Sequence, residues 1–163
     1  MNVDHILRTL NDRRVEYVLV GGMNFLLRHE PVLTFDVDVW IHDTETNRRR
    51  CEEALADMRA EWGATEAEWG PVSSLSPGWL SRQFMFCLTT PHGALDIYRT
   101  LAGVASWEQA AAVGVECRTS NGTVCMGLCD NDMLRCQVAL DAADRKTDRI
   151  AYLQRVLQRG KDS

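Results

Sequence analysis

Asp36 and Asp38 stand at alternate positions of Thr34-Phe35-Asp36-Val37-Asp38-Val39-Trp40-Ile41, whose β-branched and aromatic residues predict a strand. A period of two puts both carboxylates on one face and Val37 and Val39 on the other. Like charges about 6.6 Å apart along a strand repel one another, and strands disfavour Asp, so the pair calls for a compensating charge. A hard divalent cation supplies it, since Mg²⁺ takes oxygen ligands at about 2.0–2.1 Å and is commonly shared between one or two carboxylates and substrate phosphates. A third acid, Asp96, lies among apolar neighbours in Gly93-Ala94-Leu95-Asp96-Ile97-Tyr98. If Leu95 and Ile97 face the core, Asp96 takes the opposite face and can join the pair. The plain alternative is three solvated acids at a sheet edge.

The residues just before the pair suit an anion. Val15-Glu16-Tyr17-Val18-Leu19-Val20 predicts a strand that breaks at Gly21-Gly22, ahead of the helix-compatible run Met23 to Arg28. A helix start has unpartnered N–H groups and a partial positive charge, and glycines let a bulky anion approach the backbone closely. Phosphate fits there, one strand from the acids.

In this order of strand, glycine pair opening a helix, D-x-D on the next strand and a later third aspartate, residues 15 to 100 resemble the nucleotidyltransferases of the DNA polymerase β superfamily. The likeness is to small bacterial members, of the minimal, AbiEii-like and lincosamide-nucleotidyltransferase-like kinds. It implies an α+β (α/β) nucleotidyltransferase fold, with helices packed on a mixed central sheet of about four to six strands. It implies transfer of a nucleoside monophosphate from an NTP to an acceptor, with Mg²⁺ or Mn²⁺ as cofactor. By the same resemblance Asp36, Asp38 and Asp96 are the catalytic and metal-binding residues, and Gly21, Gly22, Asn24, Arg145 and Lys146 contact the nucleotide. The acceptor classes it allows are a small molecule such as an antibiotic, an RNA end, or a protein side chain in a toxin–antitoxin pair. Relatives often carry R-x-K-D between their last helices and a lysine earlier. Here Arg145-Lys146-Thr147-Asp148 has Thr147 at the lysine position, and Val138 and Leu140 lie near the place of the earlier lysine. That departure leaves room for a catalytically degenerate nucleotide-binding or antitoxin-like protein of the same fold, and for Asp148 as a helix cap.

Other elements must hold these groups. Val3, Ile6, Leu7 and Leu10 predict an amphipathic helix over Val3 to Asn11, and Arg48 to Glu61 a charged helix with Ala54, Leu55 and Met58 inward. Arg48, Arg49 and Arg50 read as a solvated helix face, with a phosphate or RNA patch as the sharper alternative. Gly63 to Gly78 reads as a loop-rich connection whose scattered tryptophans either form a substrate lid or pack on the sheet edge. Gln83 to Thr89 and Ala94 to Tyr98 form a hairpin through Pro91-His92-Gly93. Residues 102 to 112 suggest a short helix. Val115 to Thr119 and Thr123 to Leu128 make a second hairpin through Asn121-Gly122. Met133 to about Ala143, capped from Asp130-Asn131-Asp132, and Asp148 to Gln158 are the closing helices.

With 163 residues, 45% of them hydrophobic and 25% charged, the chain suits a single domain, 1–100 carrying the motifs and 101–163 adding the hairpin and helices. The net charge of −5 argues against a broad nucleic-acid surface. No apolar run reaches the roughly 18 residues of a membrane helix and no signal-peptide pattern opens the chain, so a cytoplasmic protein with no membrane association is expected. The six cysteines include no C-x-x-C pair and read as reduced, mostly buried thiols. The four histidines show no metal-ligand spacing, and no acyl-hydrolase or P-loop motif occurs.

Overall fold

Val37, Val39 and Ile41 are fully buried while Asp36 and Asp38 are only half-buried, and that alternation fixes which way the central strand faces. The computed structural model describes residues 1–162. Their order is α1 (Val3–Asp12), β1 (Tyr17–Val20), α2 (Gly21–Arg28), β2 (Asp36–Ile41), α3 (Glu45–Asp57), β3 (Glu61–Trp62), β4 (Gly70–Pro71), β5 (Met85–Thr90) and β6 (Gly93–Tyr98), then α4 (Trp107–Ala112), β7 (Val115–Arg118), β8 (Val124–Gly127), α5 (Asp130–Ala139) and α6 (Thr147–Asp162). One mixed sheet runs β4-β3-β5-β6-β2-β1-β8-β7. Within it β2 pairs parallel with β6 and β1 parallel with β8, and the other neighbours are antiparallel.

The two faces of this sheet are covered differently. On one, Leu19, Val37, Val39, Ile41, Phe86, Leu95 and Ile97 pack against Ile6, Leu7 and Leu10 of α1 and Cys51, Ala54 and Leu55 of α3. On the other, Val18, Val20 and Trp40 meet Phe25 of α2, Ala110 of α4, Met133 of α5 and Leu153 of α6. The acids share this second face, beyond its apolar cluster.

Local chemistry sets the helix starts. Asn2, Thr44 and Ser106 each accept a hydrogen bond from a backbone N–H three residues on, capping α1, α3 and α4. The Ser106 cap begins α4 at Trp107 rather than at residue 102, since Gly103 at φ +90° turns the chain first. Helix α5 begins at Asp130, so the acids expected to precede it lie in its first turn, where Asp130 bonds Arg28 and His29 at the end of α2. Arg48 pairs with Asp43, α3 covers the face away from the acids, and of the three arginines Arg49 is exposed while Arg48 and Arg50 are partly covered.

The expected four to six strands become eight because β3 and β4 come from the segment around 63–78. That segment is no lid over the acids. Trp62 and Trp79 stack with ring centroids 5.6 Å apart and both pack edge-on against Phe86, on the opposite face. Trp69 alone of the three is exposed.

Asn47 pins three elements. Its buried carboxamide donates to Glu16 O (2.9 Å) and His42 O (2.8 Å) and accepts from Glu16 N (2.7 Å), fastening α3 to the start of β1 and the end of β2. Asn47→Ala strips the Glu16 N–H of its partner and removes one of the two bonds accepted by Glu16 O and by His42 O, and is expected to cost about 1–3 kcal/mol. Urea unfolding checks this, as a lower midpoint at unchanged slope.

Candidate active site

Parallel pairing of β2 with β6 sets Asp38 directly opposite Asp96, with Asp36 one step along the same face opposite Ala94. One carboxylate oxygen from each of the three lies within 4.8 Å of the others. Antiparallel pairing of β5 with β6 brings the exposed Cys87 to the far side of Asp96. The three acids singled out from the sequence therefore converge.

Glycine is required beside them for a specific reason. Val20 is the partner of Asp38, so the next residue, Gly21, lies against that carboxylate at φ +68°. A methyl group at Gly21 would strike Asp38 Oδ2. The two glycines are not a turn ahead of the helix but its first two residues, and Val20 as N-cap offers no side chain to the first-turn N–H groups. The unusual backbone belongs to Gly21 alone. A methyl at Gly22 would come within 3.0 Å of Arg149 Nη2 and Thr34 Oγ1.

The side chains of two residues expected at the nucleotide bond elsewhere. Asn24 is fully buried, donates to Leu128 O (3.0 Å) and accepts from the Cys117 thiol (3.4 Å), so it ties α2 to the sheet. Arg145 donates to Leu140 O (3.0 Å) and Val138 O (2.8 Å), satisfying carbonyls at the end of α5. Lys146 is exposed, and its backbone N–H donates to Gln137. Arg149, unremarked in the sequence reading, is the cation that reaches the site. Its signal was faint: it lies four residues before the buried Leu153, which puts both on the inner stripe of α6.

Charge at the site is unbalanced. Burial, followed by repulsion from Asp36 and Asp96, pushes the Asp38 carboxyl up to about 8, against the pull of Arg149. Burial and then a hydrogen bond with Asp36 push Asp96 up to about 6. Burial lowers the Arg149 guanidinium, while Asp38 draws it the other way. A set of hard oxygen donors on rigid strands, short of positive charge, could hold a hard metal cation.

Beside the acids a cleft of about 190 Å³ runs between the second face of the sheet and α5 and α6. Gly21, Asp38 and Arg149 line it together with apolar side chains such as Phe25 and Leu153. Among the described residues no helix is long and apolar enough to cross a membrane.

No family model and no curated protein matches the chain. Among solved structures it is similar to a Thermotoga maritima protein provisionally described as a nucleotidyltransferase, with 16% identity and a TM-score of 0.36 over 80% of this chain and 70% of that one.

Charge imbalance makes stability depend on pH. A carboxyl whose folded pKa is raised holds its proton more tightly when folded, so the metal-free protein loses stability as pH climbs from 3.8 through about 8. In a chelator, Asp38→Asn should melt higher than the parent at pH 8 and near it at pH 4. Thermal unfolding at the two pH values tests this, and an equal offset at both would remove Asp38 as the cause.

Proposed function

We propose that the site transfers a nucleoside monophosphate from an NTP to an acceptor hydroxyl, as in the DNA polymerase β superfamily whose motifs the sequence resembles. Support comes chiefly from the register that sets Asp38 opposite Asp96, with Asp36 on the same face and the first turn of α2 against Asp38. Asp36 and Asp38 would hold Mg²⁺ or Mn²⁺, and Asp96 would complete the donor set. When bound, the cation supplies charge neutralisation and polarisation of the phosphate oxygens.

The chain's own groups do the rest. First-turn N–H groups of α2 receive the outer phosphates, to which Gly21 and Gly22 permit close approach. Arg149, against Gly22, balances charge on the leaving group. Asp96 Oδ takes the proton of the acceptor hydroxyl as general base. The hydroxyl oxygen bonds to the α-phosphorus, the bond from that phosphorus to the bridging oxygen breaks, and pyrophosphate departs. The acceptor enters from the side of β5, where Met85 and Cys87 are exposed.

A binding-only protein of the same build is the second reading, favoured by the engagement of Arg145 with α5 rather than with the site.

Calorimetry with NTP, with and without Mg²⁺, tests the first part. Asp36→Asn/Asp38→Asn should lose Mg²⁺-dependent affinity by at least about tenfold, and unchanged affinity would remove the assignment. Transfer of labelled nucleotide to acceptors in cell lysate tests the second. Asp96→Asn should bind NTP like the parent but transfer roughly 10²–10⁴-fold more slowly. Transfer at the parental rate would exclude Asp96 from catalysis, and NTP binding without transfer by the parent would favour the binding-only protein.

A further inference from the structure

The cleft beside Asp38 carries more polar chemistry than its apolar walls suggest. Aside from Asp38, Arg149 and the weakly bonding Cys136 thiol, the hydrogen-bonding side chains lining it are Tyr98 of β6 and Gln137 of α5. Gln137 is not free to present either end of its carboxamide. Its Oε1 accepts the Lys146 backbone N–H at 2.8 Å, and because a backbone N–H can only donate, the oxygen must stay on that side. The two Nε2 hydrogens have no partner among the described residues. Gln137 lines the cleft with its Oε1 already taken up by the Lys146 N–H, so the unpartnered groups it has left to offer a ligand are the two Nε2 donors, while the Tyr98 hydroxyl can act in either sense.

Resting on the nucleotidyl-transfer reading, we infer that this cleft takes the base of the NTP and that Gln137 selects bases with a ring carbonyl, guanine or hypoxanthine and uracil, over adenine and cytosine. Leu101, Leu128, Met133 and Leu140 supply flat apolar contact, which every base satisfies equally well. Discrimination must come from the polar edge. A keto oxygen at purine C6 or pyrimidine C4 accepts from Gln137 Nε2, whereas the amino group of adenine or cytosine sets donor against donor. The locked amide cannot rotate to relieve that clash without breaking its bond to Lys146.

ITP and ATP make the sharpest probe, because their bases have nearly the same size and stacking surface and differ at C6. Calorimetry of the whole protein with Mg²⁺ should show ITP bound about tenfold more tightly than ATP, and UTP more tightly than CTP. Gln137→Glu keeps an acceptor for Lys146 and turns an oxygen on the base, so the preference should reverse toward ATP. Gln137→Leu should bind ITP and ATP alike. Melting temperatures of the same preparations establish that each variant is folded. Equal affinity for ITP and ATP in the parent, or an ITP preference that survives in Gln137→Glu, overturns the inference while leaving nucleotide binding intact. Failure of every NTP to bind the parent overturns the nucleotidyl-transfer reading and this inference with it.

Discussion

A parallel backbone ladder holds two carboxylates side by side, and everything else near the site adapts to that repulsion. Asp38 and Asp96 cannot separate without breaking the β2–β6 register. The same two strands bury Val37, Val39, Leu95 and Ile97 on their other face, each fully inaccessible to solvent. Full burial of such a side chain is worth roughly 1.5–3 kcal/mol, and slipping either strand by one residue would exchange its apolar set for the acids. Apolar packing on the first face thus enforces electrostatic strain on the second. In the metal-free protein burial first, and then the neighbouring acids, raise the Asp38 carboxyl, and burial and then Asp36 raise Asp96.

Around this strain the chain brings little neutralisation and much positioning. Gly21, at the start of α2, keeps a side chain off Asp38, and α2 is anchored at three points along its length. Asn24 holds its first turn to Leu128 and Cys117, while Arg28 and His29 hold its end to Asp130. A helix of eight residues is too short to be stable alone. Its N-terminus points at the acids because buried polar contacts and Phe25 fix its axis.

What could be read from the sequence follows from range. A period of two in Asp36-Val37-Asp38 needs only its own strand, so the shared face of the pair was legible, as was the outward side of Asp96. The eight strands were not all legible, since two-residue strands such as β3 and β4 carry no period. Asn24, an amide beside a glycine pair, looks like a ligand group, whereas its hydrogen-bond partners Leu128 and Cys117 lie about a hundred residues away in sequence. Arg145 and Lys146 precede α6, whereas Arg149, inside its first turn, lines the cleft. Which of several neighbouring cations turns inward depends on how α6 is phased against Phe25 and Leu153, and only packing decides that.

That phasing separates two jobs along the chain. Acids and glycines sit on strands and a helix start that the sheet core immobilises. Gln137 and Arg149 instead project from α5 and α6, which pack mainly on each other and on the edge of the second apolar cluster. A substitution on those helices alters the wall of the cleft without touching the β2–β6 ladder. The register that forces Asp38 against Asp96 is therefore set independently of the side chains on the opposite wall.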